Sequence, residues 1–368
     1  VIGAARQDQA RCAPRIVERK QPRLAAAAGS ARAVLGRHGR QCHQRWRGGS
    51  PLPEETQEDG KEYIEDVLVR VHEAGQAGEE KPFSAFLDPA NHWTPLLRHI
   101  IGQITSHDPE DCSTLDYGRY VDEGGDFPVE NGYGALVARN AAGLAVTLST
   151  PVTRIDWSGQ GVRIGTPRGT LTASAIILAV PVNVLIAGGI RFTPELPPPL
   201  MQALHDCPMG VSGKLAIRLD RPVEGLGHVY GDVIDLSGKR APFNLHANPF
   251  GRPLLVSHFA GSRGRELERL GDKEMMALAM DAVTDAFGAA MRKRVVGTLR
   301  THWASDPFTL GGYSHAKPGL ANSRFAFSQT VADRIVLAGE HCSIPFFSTV
   351  HGAHLSGIAA AEKALKTL

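Results

Sequence analysis

The sequence predicts an α/β fold with a second, mixed α+β domain. The apolar run 335–338 stops at a glycine and, after a short loop, gives way to a helix that begins near Thr349. Between residues 144 and 180, alternating runs and one continuous apolar run indicate a small antiparallel sheet that leads into a buried strand. Helical spacing of apolar residues dominates 61–104 and 272–287 instead.

Helices are predicted where apolar residues recur every three or four positions. Residues 61–74 form the first such segment, with Tyr63, Ile64, Val67, Leu68 and Val71 on one side. Segments 83–87 and 93–104 follow the same pattern. Residues 272–287 make a strong helix, and its methionine-rich side is more typical of a protein core than of a cofactor site.

Strands are predicted at 144–148, 152–157, 161–165, 170–180, 229–236 and 254–259. The second and third of these alternate between apolar and polar residues, as in a sheet with one buried face. The fourth becomes continuously apolar before Pro181, which is typical of a buried parallel strand.

Composition is that of a globular chain. The 368 residues are 42% hydrophobic and 21% charged, enough to bury one large or two moderate cores. No stretch approaches the roughly 18–20 apolar residues of a membrane span, so a soluble protein is expected. The five cysteines lack paired spacing, which argues against a zinc site or a disulfide framework and predicts no metal and a reducing, cytoplasmic location.

The block 333–360 carries the strongest functional signal. Its strand ends at Gly339-Glu340, and its helix begins near Thr349 with small residues that include Gly352. A helix N-terminus offers unpaired N–H groups and a positive dipole end, and glycines allow a flat, charged ligand to approach the backbone. This pattern predicts a cofactor cradle.

Two further blocks contain unusual residues. Lys214 stands at the head of an apolar strand, where an ammonium needs a partner or water. A lysine exposed to solvent at a strand end is the alternative interpretation. The block 302–319 places Trp303 and Tyr313 among glycines, either as an exposed aromatic wall or as two core residues. An aromatic face attracts a cation by about 0.5–2 kcal/mol.

Together these blocks resemble the flavin-dependent amine oxidases, the family of monoamine oxidases, polyamine oxidases and lysine-specific histone demethylases. The resemblance is specific over about 110–368 and implies an FAD-binding, Rossmann-like domain of the GR2 type beside a substrate domain, both discontinuous in sequence. The implied FAD-binding segments are 1–55, 125–205 and 320–368, the first of them degenerate. The implied substrate-domain segments are 56–124 and 206–319.

On the cofactor side, the resemblance implies FAD contacts from Gly3, Val152, Trp303, Gly339, Glu340, Thr349, Val350 and Gly352. Val152, implied to lie at the adenine, is equally typical of a plain core valine. Where monoamine oxidases have a flavin-linking cysteine, this chain has Gly312, so the implied FAD is noncovalent.

On the catalytic side, the resemblance implies roles for Lys214, Tyr313, Trp303 and Thr349. The lysine holds a water at flavin N5, Tyr313 forms one wall of the substrate cage, and Trp303 packs near the isoalloxazine. Thr349 replaces the second tyrosine of monoamine oxidases, so the implied cage is half open, as in polyamine oxidases and demethylases.

The implied reaction is hydride transfer from the α-carbon of a small-molecule amine to flavin N5, with reoxidation by oxygen that yields hydrogen peroxide. An L-amino-acid oxidase or a flavin desaturase of the same superfamily is an alternative; the former needs an arginine for the substrate carboxylate, and Arg98, Arg119 and Arg240 are candidates. The non-enzyme alternative is a fold relic that does not hold FAD.

The first fifty residues differ from the rest. They hold eleven basic and two acidic residues, a charge of +9 that leaves −7 elsewhere given the net +2. Val1–Ala5 resembles the start of a dinucleotide fingerprint, but the next glycine positions are Ala5 and Asp8. A shifted reading frame, a divergent nucleotide motif and a basic arm for nucleic acid are the open interpretations. The first predicts weak FAD binding and poor packing of residues 1–50.

Overall fold

A computed structural model of the chain describes residues 43–47, 50–122, 129–226, 229–233 and 241–366. The chain divides into two compact units. Unit 1 comprises Val1–Gly36, Tyr120–Asp206 and Asn322–Leu368, and unit 2 comprises Arg37–Arg119 and Cys207–Ala321.

The α-helices are α1 (Glu54–Gln76), α2 (Thr94–Thr105), α3 (Thr114–Gly118), α4 (Tyr133–Asn140), α5 (Val182–Ile186), α6 (Pro198–Asp206), α7 (Gly261–Arg269), α8 (Asp272–Phe287) and α9 (Val350–Lys366). The strands are β1 (His43–Arg47), β2 (Ser50–Pro51), β3 (Arg154–Asp156), β4 (Val162–Thr166), β5 (Gly169–Ala173), β6 (Ile176–Leu178), β7 (Arg191–Thr193), β8 (Ser212–Leu219), β9 (Val229–Val233), β10 (Phe243–Ala247), β11 (Leu254–Ala260), β12 (Val295–Arg300) and β13 (Ile335–Leu337). Short 3₁₀ turns include Phe83–Phe86, Ala321–Ser328 and Glu340–Cys342.

Unit 2 is built on a mixed sheet in the order β12-β8-β11-β10-β9-β1-β2. The β8, β11 and β12 pairings are antiparallel, whereas β1 runs parallel to β9. Side chains of β8 alternate between buried and exposed over much of the strand, because successive residues point to opposite faces of a sheet. The buried face packs on α8 through an apolar cluster that includes Leu215, Ile217, Leu255, Met275 and Val283.

A helical layer completes unit 2. Helices α1 and α2 share a second apolar cluster that includes Val67, Val71, Leu97, Ile101 and the fully buried Phe83 and Trp93. Helix α1 also packs closely on α3: a Cβ built on Gly75 would lie 1.9 Å from the carbonyl oxygen of Thr114. Only a glycine permits the two backbones to approach so closely.

Unit 1 contains two sheets. Strands β13 and β6 form a two-stranded parallel sheet, and β5-β4-β3-β7 form a four-stranded sheet. Helix α9 packs on β13 through Val336, Ala338, Ala360 and Ala364. These small residues let the helix axis lie close to the strand, which fixes where the helix begins relative to the strand end.

The structure confirms the predicted helix Asp272–Phe287 and the strands near 152–157, 161–165 and 254–259. The predicted strand 144–148 is wrong, since these residues have no regular structure and Leu148 is 75% exposed. A strand needs a neighbour to accept its hydrogen bonds, and none of the described residues supplies one. Segment 170–180 is two strands, β5 and β6, rather than one.

The N-terminal predictions are tested only in part. Residues 1–42 lie outside the described residues, and with them Gly3, Asp8 and the incomplete fingerprint. The backbone of 43–47 forms a strand, β1, which pairs with β9 in parallel and with β2 in antiparallel register; the predicted poor packing of residues 1–50 stays a prediction.

Two negative findings concern the described ranges alone. No helix in them is both long and apolar enough to cross a bilayer. No three or more His, Cys, Asp or Glu side chains in them are grouped to hold a metal ion.

The α1–α3 contact predicts a steric effect. Gly75→Ala should lower the free energy of unfolding by about 1–3 kcal/mol, because the new methyl group meets the Thr114 carbonyl oxygen. Gly102→Ala, in α2, is the matched control: its Cβ would meet its nearest neighbour at an ordinary 3.7 Å. That variant should gain up to about 1 kcal/mol from helix propensity. Urea unfolding measures both, and equal effects would contradict the contact.

Candidate functional site

In unit 1, hydrogen bonds made by the Thr349 side chain order the loop before α9. The Oγ1 of Thr349 accepts a hydrogen bond from the Gly352 N–H (3.0 Å) and donates to the Phe346 carbonyl oxygen (2.7 Å). Thr349 is therefore an N-cap residue, the role in which threonine stabilises a helix start. Ser348, just before it, has φ 61°, so the chain turns sharply into the helix.

Glu340 connects the end of β13 to this helix start. Its Oε2 accepts a hydrogen bond from the Ser348 N–H at 2.7 Å. Gly339 before it has φ 146°, in the region that favours glycine, and its N–H donates to Ser356 Oγ at 2.9 Å. The strand end and the first two turns of α9 are thus held together by side-chain hydrogen bonds.

Gly352, in the first turn of α9, packs directly against the backbone of the loop that precedes the helix. A Cβ at this position would lie 1.9 Å from the Phe346 carbonyl oxygen, so the glycine is required by a backbone contact. The N–H groups of Val350 and His351 have no acceptor among the described residues. They stand at the positive end of a 17-residue helix, an arrangement that suits an anionic ligand.

Two buried side chains beside this loop escaped the sequence analysis. Arg324 is buried, with its guanidinium 4.3 Å from the centroid of the Phe347 ring, and it donates to the His341 carbonyl oxygen. Burial lowers the pKa of His341 to about 4, and its ring meets Phe327 edge-on. Neither residue belongs to a periodic pattern, so no sequence signal marks them.

In unit 2, three chain segments cross at Tyr313. Ser106 Oγ and the Gly210 N–H both donate to the Tyr313 carbonyl oxygen, at 2.8 and 3.1 Å. The Tyr313 hydroxyl donates to the Gln103 carbonyl oxygen. A Cβ at Gly210 would lie 2.0 Å from the Ser106 carbonyl oxygen. Tyr313 is thereby fixed at its backbone and at its hydroxyl, while the ring stays half-buried.

Lys214 lies two residues into the strand β8 that leaves this crossing. Its side chain is exposed, and its N–H donates to Thr301 Oγ1 at 2.8 Å. His258 stands directly opposite on β11, and the two side chains share one face of the sheet. Ser212 Oγ lies 2.9 Å from His258 Nε2. Burial, then the charge of Lys214, lowers the pKa of His258 to about 4, so the imidazole is neutral near pH 7.

Trp303 begins the loop that leads from β12 to Tyr313. Its carbonyl oxygen accepts hydrogen bonds from the Gly311 N–H (3.0 Å) and Thr309 Oγ1 (2.6 Å), which close the loop. Trp303 as a whole is 38% exposed. The structure thus groups the predicted residues Lys214, Tyr313 and Trp303 on linked segments of unit 2.

The remaining candidates are dispersed. Val152 is half-buried just before β3 in unit 1. Arg98 is held by a bidentate pair with Glu110 (2.8 and 2.7 Å), and Arg119 donates to the Ala321 carbonyl oxygen. Arg240 lies outside the described residues.

Comparison with known proteins gives one family. Residues 80–365 match the family model described as flavin containing amine oxidoreductase. Polyamine oxidase 4 of Oryza sativa subsp. japonica is 34% identical over 261 residues, which are 68% of this chain and 51% of that protein. Lysine-specific histone demethylase 2 of Homo sapiens is 28% identical over 242 residues, 63% of this chain and 29% of that protein. The chain spans about half the length of the plant polyamine oxidases it matches.

Solved structures show the same fold. Cyclohexylamine oxidase from Brevibacterium oxydans superposes with a TM-score of 0.69 at 19% identity, covering 89% of this chain and 81% of that one. Putrescine oxidase bound to putrescine gives 0.68 at 20% identity, with 91% and 85% covered. At this identity the likeness concerns the fold alone, and it confirms the predicted α/β class, a Rossmann-like domain with a second, mixed α+β domain.

The Lys214–His258 pairing predicts an electrostatic shift. Lys214→Met should raise the pKa of His258 above about 4 by removing a like charge, yet leave it below 6.5 because burial is the larger cause. An NMR titration of the imidazole measures this. Lys273→Met, on the exposed side of α8, is the control and should leave the pKa unchanged.

The lowered pKa of His258 also predicts that the free energy of unfolding depends on pH. Because the folded-state pKa of His258 is depressed, its contribution is fully present above 6.5 and is lost as the pH falls toward about 4. In Lys214→Met this loss should shrink, since the two pKa values lie closer together. A loss equal to that of the parent would contradict the coupling.

Proposed function

Because the chain belongs to the flavin-containing amine oxidoreductase family, we propose that it binds FAD noncovalently and oxidises a small-molecule amine. The observation that carries the proposal is the loop and helix start at 339–352. There Gly352 packs on the loop backbone, and two N–H groups at the helix start have no acceptor among the described residues. We assign FAD binding to unit 1 and amine binding to unit 2.

The residues of unit 1 fit the charged part of FAD. The free N–H groups of Val350 and His351 suit a diphosphate, since backbone donors at a helix N-terminus bind anions. The Glu340 carboxylate, already held by Ser348, is an acceptor for hydroxyl groups of a ribityl chain or ribose. The close contact between Gly352 and the loop backbone holds the helix-start N–H groups and the Glu340 carboxylate at a fixed spacing. We assign Gly339 and Thr349 to the support of this loop and Val152 to the adenine.

Bound FAD would supply a two-electron acceptor for the hydride on the carbon beside the amine nitrogen, and oxygen, reduced to hydrogen peroxide, would reoxidise it. The chain's own residues bind and orient the amine. Tyr313 and Trp303 offer aromatic faces that attract a cationic amine by about 0.5–2 kcal/mol. Because the Tyr313 hydroxyl is committed to the Gln103 carbonyl oxygen, this contact uses the ring rather than the oxygen.

Lys214 has a different role in the proposal. Its exposed ammonium, on the face it shares with neutral His258, is a donor that holds a water for proton movement during reoxidation. Gly312 has no side chain that could link covalently to flavin. An amino-acid oxidase needs an arginine that is free to bind the substrate carboxylate, and the guanidinium of Arg98 is already engaged by Glu110.

The direct test is optical. Purified protein titrated with FAD should acquire the flavin band near about 450 nm, and anaerobic addition of a polyamine or primary amine should bleach it. Readmitted air should restore the band with formation of hydrogen peroxide. Protein that takes up no FAD at any concentration would refute the proposal, and FAD that no amine reduces would limit it to cofactor binding.

The cradle gives a matched pair of variants. Gly352→Val should lower the affinity for FAD at least about tenfold, because the side chain forces the Phe346 carbonyl oxygen away and displaces the helix start. Gly357→Val lies in the same helix with open space around its Cβ and should bind FAD like the parent. Fluorescence titration measures both, and circular dichroism checks folding. Equal affinities would remove Gly352 from the cradle.

A further inference from the structure

The loop that carries Trp303 is anchored by a single carboxylate oxygen. Glu268, near the end of α7, accepts three hydrogen bonds at Oε1: from the Ala304 N–H (2.9 Å), the Ser305 N–H (3.2 Å) and Ser305 Oγ (3.2 Å). All three donors directly follow Trp303 in sequence. Hydrogen bonds to a charged acceptor are about twice as strong as neutral ones, so this oxygen is a firm attachment point.

The anchor is itself held in place on both sides. Arg300, at the end of β12, donates to the carbonyl oxygens of Leu267 (3.4 Å) and Leu270 (2.9 Å), which lie one residue before and two residues after Glu268. Its Nε lies 2.7 Å from Asp272 Oδ1. The strand before Trp303 and the residues after it are therefore attached to the same short stretch of helix.

The other carboxylate oxygen of Glu268 shows that this attachment costs free energy of folding. Glu268 Oε2 is buried and has no hydrogen-bond partner among the described residues. Leaving an ionisable oxygen buried and unpaired is unfavourable, and native proteins keep few such groups. A side chain selected for stability alone would pair both oxygens, so this geometry indicates that the placement of the loop matters.

The anchored loop leaves Trp303 partly exposed. Trp303 is 38% exposed, and its ring makes no ring contact or hydrogen bond within the described part of the chain. The segment from Arg300 through Ser305 is held by hydrogen bonds, whereas part of Trp303 is exposed to solvent.

We propose that Glu268 is a positioning residue that fixes the aromatic face of Trp303 for the amine substrate. This inference rests on the proposed function. Glu268 does not touch the substrate; it acts through the Ala304 and Ser305 donors, which set the direction in which the indole points.

The first experiment measures the anchor without any cofactor or substrate. In Glu268→Ala, hydrogen exchange of the Ala304 and Ser305 amides should quicken about tenfold or more. Glu268→Gln keeps an oxygen acceptor and should show a smaller increase. Glu266→Ala is the control: it lies on the same helix, pairs with Arg263, and should leave both amides unchanged. Unchanged exchange in Glu268→Ala would overturn the anchor whether or not the protein oxidises amines.

The second experiment separates positioning from mere structural support. Glu268→Ala should raise KM for a cationic amine up to about tenfold with a smaller change in kcat, as expected for lost cation–π capture. Combined with Trp303→Leu, it should add nothing further, because both changes remove one interaction. Additive effects would show that Glu268 does not act through Trp303.

A third readout keeps the two proposals distinguishable. If no amine reduces the flavin of the parent protein, the proposed function fails while the anchor is still decided by exchange. The emission of Trp303, isolated as the difference between parent and Trp303→Phe, should then shift in Glu268→Ala and stay constant in Glu266→Ala. A constant emission in both would overturn the positioning role.

Discussion

Backbone carbonyl oxygens packed directly against glycines set the geometry of both units. A Cβ would lie 1.9 Å from the Thr114 oxygen at Gly75, 2.0 Å from the Ser106 oxygen at Gly210 and 1.9 Å from the Phe346 oxygen at Gly352. No other residue fits these crossings without moving one of the backbones. The contacts at Gly210 and Gly352 also fix the segments on which most of the proposed site residues stand.

The close packing of glycines on backbone carbonyl oxygens has a different consequence in each unit. In unit 1 the crossing at Gly352 orders a helix start, where the useful groups belong to the backbone. In unit 2 the close contact at Gly210 holds three segments together, and the groups that we propose to act there are the side chains of Tyr313 and Lys214. In the proposed arrangement, backbone donors face the diphosphate, which is the same in every FAD, whereas side chains face the amine and can differ with the substrate.

The sequence predicted much of the fold because its apolar periodicities are strong. Helix Asp272–Phe287 is found with the predicted bounds, since helical spacing continues up to the glycine at each end. Segment 144–148 was predicted as a strand because its composition suits one, but pairing depends on a neighbour that local sequence does not encode. A strand at 43–47 was missed for the same reason, as it forms by pairing with a distant segment.

The roles of individual side chains were harder to predict from the sequence than the helices and strands. Glycines and aromatic residues in the blocks near 313 and 352 stand out in the sequence, and the structure attaches specific contacts to them. Glu268, Arg324 and His341 carry no comparable signal, because an isolated charged residue in a helix or turn is ordinarily solvated. Only three-dimensional contacts distinguish them.

One structural feature of unit 1 affects how the protein behaves in solution. Helix α4 has no buried residue, and the apolar side chains of Val137, Leu144, Val146 and Leu148 are at least about half exposed. Exposed apolar side chains favour contact between molecules, and such contacts grow with concentration by mass action. Rates and affinities measured at micromolar and at millimolar protein will therefore describe different populations of this molecule.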